Sequence, residues 1–172
     1  MNYSRVMALP STYADRNCSL ARALEIVGER WTLLIVRDAF LGVRRFGDFA
    51  TQLGIPRAVL TNRLRSLVRE GVLEHVDGEY QLTPKGLELL PVMRAMMVWG
   101  DTHYSPDGPR RTFRHDADGG RLTREGRCRT CGETIAVQDI RTEPGPGYVP
   151  GDELDPVSAR LTTPRRLLEP LA

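Results

Sequence analysis

Apolar residues recur at helical spacing through the first hundred positions, and the pattern changes afterwards. Leu20, Ala23, Leu24 and Val27 share one side of a predicted helix that Ser19 can cap and Gly28 can stop. Residues 31–40 place Trp31, Leu34 and Ile35 on one face and Leu33, Val36 and Phe40 on another, which predicts a central, buried helix ending at Gly42. Phe46, Phe49, Ala50 and Leu53 follow the i, i+3, i+4, i+7 spacing of a short amphipathic helix. Gly54-Ile55-Pro56 then punctuates the chain, since Gly suits the position past one helix and Pro the first turn of the next. The next helix runs to about Glu70 and turns Leu60, Leu64, Leu67 and Val68 inward.

After Gly71 the period shortens. Residues 72–76 and 79–82 are β-prone runs on either side of Asp77-Gly78, the dipeptide that favours a two-residue hairpin turn. Thr83-Pro84 opens a helix expected to continue to about His103. Its stretch 89–99 is apolar almost all round, broken mainly by Arg94. One small domain cannot cover every side of such a helix, which implies a partner surface, most simply in a symmetric dimer.

Beyond Tyr104 the chain is polar and rich in turn formers. Six of the twelve prolines follow Thr142, so the last thirty residues read as irregular, or as ordered only by packing on the first part. The organisation expected is an N-terminal arm (1–17), a helical and hairpin domain (18–104), an extension with a Cys-x-x-Cys pair (105–141) and a Pro-rich irregular tail (142–172).

Composition narrows the class. Of 172 residues 41% are hydrophobic and 27% charged, the balance of a folded chain rather than a disordered one. No apolar run approaches the ~18 residues needed to span a bilayer. Residues 1–13 lack the basic-then-apolar order of an export signal, so the cytoplasm is the expected location. Three cysteines are too few for a disulfide scaffold. No GxSxG, P-loop or GxGxxG stretch is found, and no acid, base and nucleophile converge, so an enzyme is not expected and no cofactor is assigned.

The net charge is only +2, but it is unevenly spread. Between Arg44 and Arg69 stand six arginines against the single acid Asp48, a local +5 that suits a polyanion. Two helices joined by a short glycine-containing turn, followed by a hairpin, make a winged helix-turn-helix. The fold class expected is therefore mainly α with a small β-hairpin wing, plus a small C-terminal extension for which a zinc-ribbon-like hairpin is one reading. On the second helix, Ala58, Asn62, Arg65 and Arg69 lie opposite the apolar centre, with Thr61, Arg63 and Ser66 on the flanks and Arg57 in the first turn. Arg can fork onto guanine, Asn can pair with adenine, and Thr and the helix start suit phosphate. An inert solvated face is the bland alternative for any such helix taken alone.

Several motifs in order add to this reading: CSLARALEIVGERWTLLIVR (18–37), RRFGDF (44–49), GIP (54–56), LTNRLR (60–65), GVL (71–73) and LTPKG (82–86). Across 18–99 the chain resembles the HxlR family of bacterial winged helix-turn-helix regulators, relatives of the MarR regulators. The resemblance implies a homodimeric, sequence-specific DNA-binding transcriptional regulator, more often a repressor, with dimer contacts from the first and last helices of the domain. It implies a recognition helix over 56–70, with Arg57, Thr61, Asn62, Arg63 and Arg65 as DNA contacts, and Arg44 and Arg45 as phosphate contacts. Arg69, on the same outward side, joins this set. The partner expected is a pseudo-palindromic DNA duplex, with a small-molecule effector as a further candidate and no membrane. Two features depart from the family: a short acidic wing tip over 75–79, which should repel phosphate, and Pro56 where Ser is common.

Cys18 matches the family's N-terminal cysteine, which in some members senses oxidants. A helix start and the neighbouring Arg16 and Arg22 would favour a thiolate, while the plain alternative is a small residue packed at a dimer interface. Cys128-Arg-Thr-Cys131 supplies two zinc ligands of the four that a tetrahedral site needs. His115, Asp116 and Asp118 lie upstream, where a second cysteine knuckle would be expected, so the site reads as degraded and no metal is assigned. Trp31, Met93, Met96, Met97 and Trp99 could line an effector pocket but read first as core. Two rival functions follow: a protein-docking winged helix, favoured by the acidic tip, and a thiol- or metal-responsive module centred on the C-terminal Cys-x-x-Cys.

Overall fold

The computed structural model describes residues 13, 17–149 and 155–171. The expected arm, 1–17, therefore lies outside the described residues except for Tyr13 and Asn17. Four helices come first: α1 (Ser19–Val27), α2 (Thr32–Phe40), α3 (Phe46–Leu53) and α4 (Arg57–Arg69). Cys18 rather than Ser19 occupies the N-cap of α1, and its side chain makes no capping bond. Helix α2 is central, as its two apolar faces require: Ile35, Val36 and Phe40 are fully buried. Gly54 ends α3 in the left-handed region (φ 58) and donates its N–H to the Ala50 carbonyl, turning the chain sharply into α4.

Strands β1 (Leu73–Val76) and β2 (Glu79–Leu82) pair antiparallel, with Leu73 opposite Leu82 and Val76 opposite Glu79. Asp77 (φ 52) and Gly78 (φ 81) are both left-handed, which is the primed turn expected of Asp-Gly. The Tyr80 N–H donates to the Arg44 carbonyl at 2.8 Å and ties this wing to the segment entering α3. The single helix expected from Pro84 to His103 is instead two, α5 (Pro84–Leu87) and α6 (Leu90–Tyr104). Pro91 explains the break, because it has no N–H to donate and its ring conflicts with the carbonyl four residues back, at Leu87.

The extension builds a second, three-stranded antiparallel sheet in the order β3 (Arg111–His115), β4 (Ile140–Pro144), β5 (Arg165–Arg166), with α7 (Pro156–Leu161) before the last strand. Over the described part of 142–172 the chain is ordered by packing on the first part: Val157, Leu161 and Leu167 are buried and share one core with Phe40, Phe49 and Leu60. The prolines signal turns and starts here rather than disorder. Pro156 begins α7, whose N-cap Asp155 accepts the N–H groups of Val157 and Ser158 at 2.9 and 3.0 Å. The Ser158 hydroxyl reaches Gln52 of α3 at 2.8 Å. Further on, the Leu168 N–H donates to the Phe40 carbonyl and the Leu171 N–H to that of Gly42. The last residues therefore strap the end of α2.

Helix α6 finds part of its missing cover in the same chain. Arg94 is buried, donates to the Thr123 carbonyl at 2.7 Å and stacks its guanidinium over Phe113. Burial pulls its pKa down, and Glu125 opposes that pull. On α2, burial pushes the Asp38 carboxyl above its usual range, opposed first by Arg37 at 2.6 Å and then by Arg111 of the extension. Among the described residues, no helix is long and apolar enough to cross a membrane.

Two outcomes check this account. Gly42 sits at φ +89 with its would-be Cβ 1.8 Å from the Glu169 carbonyl oxygen, so Gly42→Ala should cost at least the ~1–3 kcal/mol of backbone strain in urea unfolding. Asp155→Ala should cost about 1 kcal/mol, the worth of an N-cap. Burial disfavours the charged Asp155 carboxyl, but the bonds from Ser158 and Val157 outweigh it and hold its pKa below the usual range. Its contribution is then present at neutral pH and lost as pH falls below the ordinary carboxylate value toward the depressed one, so the two unfolding midpoints should converge in acid.

Candidate nucleic-acid interface

Helix α4 has two unlike sides. Leu60, Leu64 and Leu67 are buried among α2, α3 and β1. That seat turns Arg57, Ala58, Thr61, Asn62, Arg65 and Arg69 to the exposed side. Asn62 and Arg65 have no hydrogen bond or ion pair among the described residues, so their donors are free for a ligand. The Arg57 guanidinium lies 5.0 Å above the Phe46 ring, which steadies it without using its N–H groups. The Thr61 hydroxyl donates back to the Arg57 carbonyl at 2.9 Å, leaving its lone pairs outward. Pro56 gives the helix start no side-chain cap, so first-turn N–H groups remain available to an anion.

Three predicted contacts are engaged elsewhere. Arg44 is half-buried, donates to the Leu168 carbonyl at 3.2 Å and lies 3.6 Å from Glu79. Arg63 leans back to Glu29, in the turn between α1 and α2, at 3.5 Å. Arg69 is exposed but bonds Ser66 and Glu70 on its own helix. Arg45 stays mostly exposed, with a 3.6 Å pairing to Glu79 that solvent weakens. Glu79 thus faces Arg44 and Arg45, and the acidity of the wing tip falls to Asp77. Sequence reasoning missed Glu29 and Glu79 as partners, because each pair is separated by thirty or more positions and no local spacing signals it.

The remaining candidates are scattered. Cys18 is exposed at the start of α1; Arg16, one of the cations invoked beside it, lies outside the described residues. Of the suspected core residues only Met93 is buried; Met96 and Trp99 stand 56% and 58% exposed on α6 beside Val92. On α1, Leu20 and Leu24 are also exposed. A cleft of about 510 Å³ opens between α2, α6 and the extension, lined by Leu34, Met97 and Tyr104 together with Arg37 and Arg111. Cys128 and Cys131 come together with His115 and Asp118 in the extension, well apart in sequence from α4.

A glycine-turned pair of helices, the second of them cationic and outward-facing, with a two-stranded wing beside it, defines a winged helix-turn-helix protein. The profile of the HxlR-like helix-turn-helix family matches residues 26–108. An uncharacterized HTH-type transcriptional regulator of Mycobacterium tuberculosis is 46% identical over 138 residues, covering 76% of this chain and 87% of that protein. One from Synechocystis is 32% identical over 91 residues, 48% of this chain and 67% of its own length. Among solved structures, PA1607, a protein proposed as a transcription factor, superposes with a TM-score of 0.59 at 35% identity, covering 74% of this chain and 94% of that one. The chain belongs to the HxlR-like helix-turn-helix family. The mycobacterial match is too long to fit within the first 104 residues, so part of the extension is shared with that relative.

The sorting of arginines has a direct check. Arg44→Ala removes a bond to the strapping tail and should lower the thermal midpoint. Arg65 is exposed and makes no hydrogen bond or ion pair among the described residues, so Arg65→Ala should leave stability within about 0.5 kcal/mol.

Proposed function

We propose that the protein is a homodimeric, sequence-specific regulator of transcription that reads the major groove of duplex DNA with α4. The observation that carries this is the outward side of that helix, where Arg57, Asn62 and Arg65 keep their N–H donors free and Thr61 its hydroxyl lone pairs, while the opposite side is locked into the core. A B-form major groove is about 12 Å wide and admits one α-helix. Arg65 and Asn62 are the base readers in this reading; Arg57, Arg45 and the uncapped start of α4 take phosphates. Arg44 and Arg63 serve mainly to hold the domain in shape.

Dimerisation rests on the exposed apolar residues of the first and last helices, Leu20 and Leu24 on α1 and Val92, Met96 and Trp99 on α6. A stripe of this kind on an otherwise polar surface marks an interaction site. A two-fold dimer would place two copies of α4 about one helical turn, ~10 bp, or a multiple of it apart on a pseudo-palindromic site. Occupancy of a promoter would then repress it. An effector in the cleft beside Arg37 and Arg111 would be an anion with apolar bulk, and would act by shifting the subunits relative to each other.

Selection of bound duplexes from a random pool should enrich a two-fold motif. Arg65→Ala should weaken binding to it by about 1–3 kcal/mol and relax one position in each half. Arg57→Ala should instead weaken all duplexes alike and flatten the dependence of affinity on salt. No enriched motif would reject the reading. For assembly, Met96→Glu with Trp99→Glu should convert a dimer to a folded monomer in sedimentation at micromolar concentration; an unchanged sedimentation coefficient would place the interface elsewhere.

A further inference from the structure

The extension carries a cluster that DNA reading does not use. Strand β3 ends at His115, and the turn after it closes through the Gly119 N–H onto the His115 carbonyl. Opposite this turn stands a second one, Cys128 to Gly132, closed by the Gly132 N–H on the Cys128 carbonyl. Each presents two side chains three residues apart, His115 with Asp118 and Cys128 with Cys131. One ligand atom from each of the four lies within 4.8 Å of all the others. His115 Nδ1 is 3.2 Å from Asp118 Oδ2 and 3.7 Å from Cys131 Sγ, and Cys128 Sγ is 3.3 Å from Asp118 Oδ1. A tetrahedron with metal–sulfur bonds of about 2.3 Å and metal–nitrogen or metal–oxygen bonds of about 2.0 Å has edges of roughly 3.3–3.8 Å.

We propose that His115, Asp118, Cys128 and Cys131 bind one zinc ion per chain. Two thiolates and an imidazole favour zinc over hard cations such as magnesium or calcium. Four protein ligands leave no open position, so the site is structural. The surroundings are built for it. Gly120 is buried, and a Cβ there would stand 2.3 Å from Cys128 Sγ, so only glycine lets the two turns meet. The Thr130 N–H donates to Cys128 Sγ at 3.3 Å, as expected for a thiolate acceptor. Arg114 holds the Gly119 carbonyl and Arg127 that of Gly132, placing cations around a site whose net charge with zinc is −1. Asp116 takes no part; it pairs with Arg141 and Arg166. In this proposal His-x-x-Asp supplies the half-site that the Cys-x-x-Cys lacks. Residues 123–127, gripped by Arg94 of α6, lead directly into the second turn, so the ion would set how the extension rests on that helix.

The test is elemental analysis of tag-free protein, where about one zinc per chain is expected. Cys131→Ser and Asp118→Ala should each lower zinc affinity about tenfold or more, while Cys18→Ser keeps the full equivalent. Cobalt added to chelator-stripped protein should give the intense visible bands of a tetrahedral thiolate site, saturating at one per chain. Should the single variants unfold, His115→Cys with Asp118→Cys provides a second arm, since it completes a four-cysteine site and should bind zinc at least as tightly as the natural set. Metal-free protein with a pale, octahedral cobalt spectrum, a Cys128–Cys131 disulfide in its place, or zinc retention in Cys131→Ser and Asp118→Ala equal to that of the unsubstituted protein would overturn the proposal.

Discussion

Everything in this molecule that bears on recognition depends on the seating of Leu60, Leu64 and Leu67 against Phe40, Phe49 and their neighbours. Those three side chains fix the rotation of α4 about its own axis, and the rotation decides which polar residues face solvent. Truncating any one to Ala would be expected to cost about 2–5 kcal/mol, a large share of the stability of a domain this size. A helix anchored so firmly on one side offers a preorganised surface on the other. In the proposed complex Asn62 and Arg65 would lose little except their own side-chain freedom.

The extension shares that core and stiffens it. Leu167 and Val157 bury against the same residues that hold α4, the final segment hydrogen-bonds across Phe40 and Gly42, and Arg94 carries a cation from α6 into the extension. A change in the extension can therefore reach α4 through packed side chains and α2, without any contact of its own with a ligand at the interface. The exposed stripe on α6 lies on the helix that the extension covers from another side, so in the proposed dimer the placement of the extension would be coupled to that of the partner subunit.

Much of this was legible in the chain. The helical spacing from 19 to 69 and the Asp77-Gly78 turn follow from local rules, because each buried face is written at a fixed period and each glycine marks a backbone that other residues resist. The failures have physical causes. The sequence left the tail open between irregular and ordered by packing, because six prolines suggest irregularity, whereas a few buried side chains such as Leu161 and Leu167 suffice to order it when a ready-made surface lies beneath. Pro91 was visible, yet the uninterrupted apolar run hid the break it makes. The pairings of Arg44 with Glu79 and of Arg63 with Glu29 were not legible because the partners are distant in sequence. His115 and Asp118 stand upstream of the cysteines but do not read as their complement, because they repeat the spacing of Cys128 and Cys131 but not their chemistry.

The central claim is that the polar side of α4 enters a major groove, twice, in a two-fold assembly. Methylation of guanine N7, which lies in that groove, tests it most directly. The account predicts that methylated guanines in two clusters, about one helical turn or a whole multiple of it apart, abolish binding of a selected duplex. Binding indifferent to N7 methylation throughout a guanine-containing site would contradict it.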